Sequence, residues 1–376
     1  MHELASLRNM IHEQASPRNP EREQAGRLCS AKANVGRELP PSSVVLSLLS
    51  SSKEDESMMF FFYGLWSRTQ FEDLCRKVYF PIEPVPADEL TLFYGTISII
   101  AQSIGPSPEY DFRAEEIELT RTLCKRNFLQ GVQTYEVMAL PSRDRVFALL
   151  LAMIHAQNEA ELTLQWTLTS AAARHCIALG YHREDTIAQL PAGESIAVRR
   201  IFWQAYLHDK NLSLRLGKTS VIQDFDLDIL QVPISTDARR APWDRAFVAC
   251  VQFAQISGNV YERLYSSSGR KLGLEERRGV VSILEASLTQ WYDEWNRIDS
   301  TGAVDQDLLD RTFEPMHIIY YSTMALLYRG ETTSNSTADI SQRCFEAARQ
   351  GLQAHLAYSA RLPSSTPRIS SAYSLW

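Results

Sequence analysis

Three groupings along this chain combine residue types and spacings that could do chemistry. His175 and Cys176 are neighbours, as a thiolate and its base would be. His208 and Asp209 are neighbours, as a general base and its orienting acid would be. Asp224, Asp226 and Asp228 alternate like the ligands of a calcium loop. None of the three carries through. His175 and Cys176 fall in helical sequence, where consecutive side chains point about 100° apart and do not meet; packing is the reading for both. His208–Asp209 has no nucleophile at a recognisable spacing. The three aspartates lack the loop glycine, and Ser235 stands where the closing bidentate glutamate belongs. They are expected to cap a turn or to meet nearby cations.

The cysteines tell the same story. Cys29, Cys75, Cys124, Cys176, Cys250 and Cys344 are far apart, and no CxxC pair exists to gather thiolates round zinc. The opening MHELASLRNMIHEQ has no apolar signal core. Both features lead us to expect free, buried thiols in a reducing, intracellular setting. No GxGxxG, P-loop, GxSxG or HExxH pattern is present. The expectation is no catalytic residue, no metal ligand and no cofactor.

The elements that would position these residues are helices. Over 376 residues, hydrophobic residues make up 45% and charged residues 22%, while Gly 16 and Pro 16 are few for the length. That scarcity of breakers favours long helices over strands and tight turns. Helical periodicity covers about 42–50, 58–79, 88–104, 113–130, 143–158, 160–180, 194–216, 243–266, 274–297, 312–329 and 338–360. The fold class is all-α: one large multi-helix domain over 42–362, around a buried central helix. Residues 1–41 are polar and are expected to be mostly disordered, with a short helix around 4–14. Residues 363–376 read as a flexible tail. The apolar run from Leu90 is interrupted by Thr, Ser and Gln and is too short for a bilayer; it reads as a core helix. The net charge of −7 lacks the electrostatic footprint of an autonomous nucleic-acid binder, and the arginine pairs are isolated.

Two helices carry the clearest apolar faces at about 100° per residue. Leu162–Gly180 is apolar almost all round, which predicts burial in the middle of the domain, with Gly180 as its C-terminal cap. In the helix from Val198 to Leu216, Val198, Ile201, Phe202, Ala205, Tyr206, Leu212 and Leu216 form one face. Trp203, Leu207 and Leu214 form a second stripe opposite. Asp209 sits in the middle of the first face. A carboxylate there is costly unless paired, so a cationic or backbone-donor partner from another helix is expected, with Arg174 or Arg245 as candidates.

ALGYHRED from Ala178, followed by RRIFWQAYLHDKNLSLRLGKTSVIQDFDLDI from Arg199, resembles the fungal-specific transcription factor domain, the middle homology region of fungal zinc-cluster regulators. Leu179, Gly180 and His182 match the first element of that pattern. Arg199, Arg200, Phe202, Trp203, Tyr206, Asp209, Ser213, Leu216 and Gly217 match the second, with Ile222, Asp224, Asp226 and Asp228. The family's D-R and G-R-P are replaced by Asp209–Lys210 and Gly217–Lys218–Thr219. The resemblance implies a helical regulatory domain whose matched residues are scaffold positions, in a nuclear regulator of transcription controlling a metabolic or secondary-metabolite pathway.

The family's zinc-cluster module carries six closely spaced cysteines, whereas Cys29 is the only cysteine before Cys75 here. Autonomous DNA binding is therefore not expected of this chain unless such a module lies upstream. The expected partner is a protein (another regulator, or a second copy), with room for a small-molecule effector and no membrane. The competing reading is an enzyme or small-molecule binding protein on the same scaffold, with a closed apolar pocket onto which Trp203, Tyr206, His208 or His317 converge.

Overall fold

Helix-forming runs broken only by Gly, Pro and short polar clusters leave the backbone little reason to form strands. None is present among the described residues. The structure, a computed structural model, describes residues 38–51, 67–103, 114–133, 135, 140–331 and 341–361. The segment 1–37, the helix expected at 4–14, the first half of the helix expected at 58–79, and the tail lie outside the described residues.

The helices are α1 (Ser42–Ser51), α2 (Arg68–Tyr79), α3 (Ala87–Ser103), α4 (Ala114–Val132), α5 (Arg143–Asn158), α6 (Leu162–Ala178) and the single turn α7 (Glu184–Ile187). They continue with α8 (Ala192–Leu216), α9 (Ala241–Val260), α10 (Leu274–Trp295), α11 (Gln306–Phe313), α12 (Met316–Arg329) and α13 (Gln342–Arg361). Local chemistry sets several ends. Ser67 and Gln70 cap each other's backbone at the start of α2, in a reciprocal capping box. Gly217, at φ +64°, closes α8 in the left-handed conformation that a side chain disfavours.

Packing follows a chain of neighbours: α4 on α3, α3 on α5, α5 on α6, α6 on α8, α8 on α9, α9 on α10, α10 on α12 and α12 on α13. α8 occupies the middle of this series and also touches α5. From Ile201 to Ser213 every residue of α8 is buried, including both Phe202 and Trp203. The expected interior rod is therefore present. α5 is enclosed just as fully from Val146 to Gln157. Its near-continuous apolar run from Val146 to Ala156 accounts for that burial. The run from Leu90 forms α3 and buries Leu92, Phe93, Tyr94 and Ile97. Among the described residues no helix is long and apolar enough to cross a membrane.

Two expectations need correction. α6 is not buried on all sides: Ala171, Ala172, Ala173 and Cys176 face the core, but Leu162, Leu164 and Ile177 are exposed. Three consecutive small residues let neighbouring helices approach closely, and the larger apolar side chains are left on the outer edge. The helix expected at 312–329 starts at Met316, and a separate short helix, α11, precedes it. Pro315, with no amide hydrogen to donate, separates α11 from α12.

A strap held by a buried clamp as the candidate functional site

After Gly217 the chain reverses and runs back beside α8 as an extended strap, through a 3-10 turn at Asp224–Asp226, to about Ser235. Side chains of α8 clamp it at successive levels. At the C-terminal level, Asp209 is buried and accepts the Ser220 hydroxyl at 2.6 Å, the Val221 amide at 3.1 Å and the Ile222 amide at 2.9 Å. One turn nearer the N-terminus, the Tyr206 hydroxyl donates to Asp224 Oδ1 at 2.8 Å. Higher still, the Trp203 indole donates to the Leu230 carbonyl at 3.0 Å. At the top, Arg199 donates to Glu184 and to the Leu230 carbonyl, while Glu184 also accepts the Leu230 amide at 3.0 Å.

The partner of Asp209 is thus the strap that follows its own helix, not a guanidinium from another one. Arg174 and Arg245 both lie at exposed positions, whereas Asp209 is 2% exposed. Burial pushes the Asp209 carboxyl up, while Ser220, the two amides and neighbouring Lys210 oppose that shift. A strap offering two amides and a hydroxyl can satisfy a carboxylate without a guanidinium beside it.

Lys210 is the other buried ion of this level. Its ammonium donates to the Ile222 carbonyl at 2.8 Å, pairs with Asp224 at 3.0 Å and lies 5.2 Å from the centre of the Tyr206 ring. Its aliphatic stem passes over Gly258 of α9, where an added Cβ would stand 2.8 Å from Lys210 Cδ. With the ammonium held at its far end, the stem has nowhere to go. Gly258→Leu is therefore expected to cost about 2 kcal/mol and to lower the melting temperature, with Gly258→Ala intermediate. An unchanged melting temperature for both would mean that the stem is not confined.

The three aspartates each have a partner. Asp224 joins Tyr206 to Lys210; Asp226 pairs with Arg183 at 2.5 Å; Asp228 caps α7 by accepting the Glu184 amide at 2.7 Å. This is the expected turn-capping and cation-pairing role. His182 of the first matched element lies 3.6 Å from Asp226, and its carbonyl accepts the Asp228 amide at 3.3 Å. The far end of the strap is tied through Asp244 of α9, which accepts the Ser235 amide at 2.8 Å and pairs with Arg200, itself over the Phe247 ring. Ser213 closes the α8 turn by donating to the Lys218 carbonyl. Phe202, Trp203 and Tyr206 pack edge-on or tilted, with ring centres 5.1–6.5 Å apart.

The structure therefore brings Arg199, Arg200, Phe202, Trp203, Tyr206, Asp209, Ser213, Gly217, Asp224, Asp226 and Asp228 into one assembly. Ser220, Lys210, Glu184, Asp244 and Gly258 belong to it and were not picked out from the sequence. Only Lys210 had left a trace there, as a departure from the matched pattern.

The four side chains named for the enzyme or ligand-binding reading do not converge. Trp203 and Tyr206 serve the strap, His208 is buried elsewhere on α8, and His317 lies in α12 hydrogen-bonded to Tyr292. An apolar groove of about 370 Å³ lies instead between α12 and α13, against Tyr320, Tyr321, Met324, Tyr328 and Ala347. His175 and Cys176 are both buried, and burial raises the Cys176 thiol far out of the reactive range.

Residues 133–246 match the model of the fungal specific transcription factor domain. That stretch contains α5 to α8, the whole strap and the start of α9. An uncharacterized transcriptional regulatory protein of Schizosaccharomyces pombe is 27% identical over 244 residues, which are 59% of this chain and 37% of that protein. An ABC-transporter-regulating transcription factor of Aspergillus oryzae is 29% identical over 174 residues, 43% of this chain and 19% of its own length. The protein STB5 of Saccharomyces cerevisiae is 29% identical over 171 residues, 44% of this chain and 23% of its own length. The chain thus spans well under half the length of these relatives. No solved structure matches it.

Proposed function

We infer from a chain whose residues 133–246 carry a fungal specific transcription factor domain that it is a transcription regulator of the fungal zinc-cluster class. It acts in the nucleus on genes of a metabolic or secondary-metabolite pathway, through a protein partner or an effector, and not as an enzyme. Residues 42–362 form its single regulatory domain. Relatives named as transcriptional regulators support this reading. The observation that carries it is the coincidence of the matched segment with the strap and clamp.

Several motif side chains there hold one piece of backbone against another: Asp209 to Ser220–Ile222, Trp203 to Leu230, Asp228 to α7. These are scaffold roles, as a domain that transmits states between partners requires. Chromatin immunoprecipitation of the tagged protein, with transcript profiling of a deletion strain, tests the reading. Enrichment at promoters whose transcripts change on deletion is expected. No promoter enrichment together with an unchanged transcript profile would overturn it.

A further inference from the structure

α13 packs on α12 and makes no comparable contact with any other described helix. Ala347, Gly351 and Tyr358 take the inner side. The outer side is not the polar surface that a one-sided helix should show. Phe345 is 57% exposed, Leu352 66% and Leu356 67%. With exposed Ala348 between them and exposed Ser359 after them, they follow one another at intervals of three and four residues, or seven. That is the spacing of a seam between two helices over four turns. Bulky and small residues mix along it in a way that is self-complementary only in one orientation. In a parallel pair, Phe345 would face Phe345 and Ala348 would face Ala348, leaving a void between bulky layers. In an antiparallel pair with a two-fold axis at Leu352, Ala348 receives the second copy's Leu356, and Phe345 lies over the second copy's Ser359.

The charges allow the same arrangement. Arg349 is already paired with Glu346 on its own helix, and Arg343 with Glu285 of α10. No acid faces an acid across the axis, and Leu352 is flanked there by Gln353 and the buried Gly351. We propose that this face binds a second copy of the chain, in an isologous antiparallel pairing of α13. A seam this short buries less than the ~1,200 Å² of a tight complex. The dimer is therefore expected to be concentration-dependent, with a dissociation constant on the order of 1–100 µM. Self-association through α13 stands apart from the regulatory reading, since it rests on this helix alone.

Sedimentation of the full chain over that concentration range should show a monomer–dimer equilibrium, and Leu352→Asp should abolish it. Leu352 is two-thirds exposed, so the variant should keep its melting temperature. Register is tested by oxidation in a Cys29→Ser, Cys344→Ser background, since Cys344 beside the seam is only partly buried. Leu352→Cys, on the axis, should form a disulfide-linked dimer. Ala348→Cys alone should not, whereas a mixture of Ala348→Cys and Leu356→Cys chains should. A chain that stays monomeric throughout overturns the proposal. So does a dimer unaffected by Leu352→Asp, or cross-linking of Ala348→Cys with itself in preference to Leu352→Cys.

Discussion

Asp209→Ala is expected to destabilise the protein by about 3 kcal/mol, a loss visible as a fall in melting temperature of many degrees. The side chain removed is a hub. The Ser220 hydroxyl and the Val221 and Ile222 amides all donate to it, and Ile222 is buried. Alanine leaves these donors facing a cavity, while Lys210 loses the neighbouring negative charge. Because Ser220 and Val221 are only partly buried, water can reach some of the orphaned donors, and the cost stays below a full sum of three. Asp209→Asn should fall between the two: its carbonyl oxygen accepts one donor while its NH2 opposes another. The strap should also loosen locally. Hydrogen exchange at Val221 and Ile222 is expected to rise more than exchange in α5. Equal loss of protection in both places, or a melting temperature within a degree of wild type, would show that the strap does not depend on Asp209.

Stability should also fall steeply as the solution becomes mildly acidic. Burial pushes His208 down to about 3 and His155 down to about 4, with Arg215 and Lys125 respectively adding to the effect. Neither ring's Nε2 has a hydrogen-bond partner among the described residues. In the unfolded chain each ring titrates near 6.5. Above that pH both states are neutral and the full stability is present. Between about 6.5 and 3 the unfolded chain binds protons that the folded core refuses, so stability drops as pH falls. At pH 5 each histidine accounts for about 2 kcal/mol, about 4 together. His175 and His182, shifted down by burial as well, act in the same direction. Melting temperatures measured from pH 7.5 to 5 should show this decline, and His208→Gln should remove about 2 kcal/mol of it. A flat profile, or the same slope in His208→Gln, would mean that the ring is not held neutral in the core.

Much of this molecule was legible in its sequence because helices are local objects. Periodicity, Gly217 as a stop and the enclosed stripes of Val198–Leu216 depend on residues within one or two turns of each other. The requirement that Asp209 find a partner was legible too, because the desolvation cost of a carboxylate among Phe202, Ala205 and Leu212 is the same in any fold. The identity of that partner was not. Choosing between Arg174 and the Ser220–Ile222 amides needs the path of the chain after Gly217, which periodicity does not encode. The exposed edge of α6 was hidden for a related reason: a wheel projection shows which side chains are apolar, not how many neighbours surround the helix.

The eight residues of α11 are too few to give a periodic signal, and Pro315 parts them from α12. Sequence alone determined the helical class, the buried central rod and the family to which its motif points, because each rests on short-range pattern or residue type. Tertiary structure alone decided that the motif is a strap held by a clamp, that Lys210 must make way for any side chain at Gly258, and that α13 turns an apolar side away from the other described helices. Those depend on distances between segments far apart in the chain, set only when the helices pack.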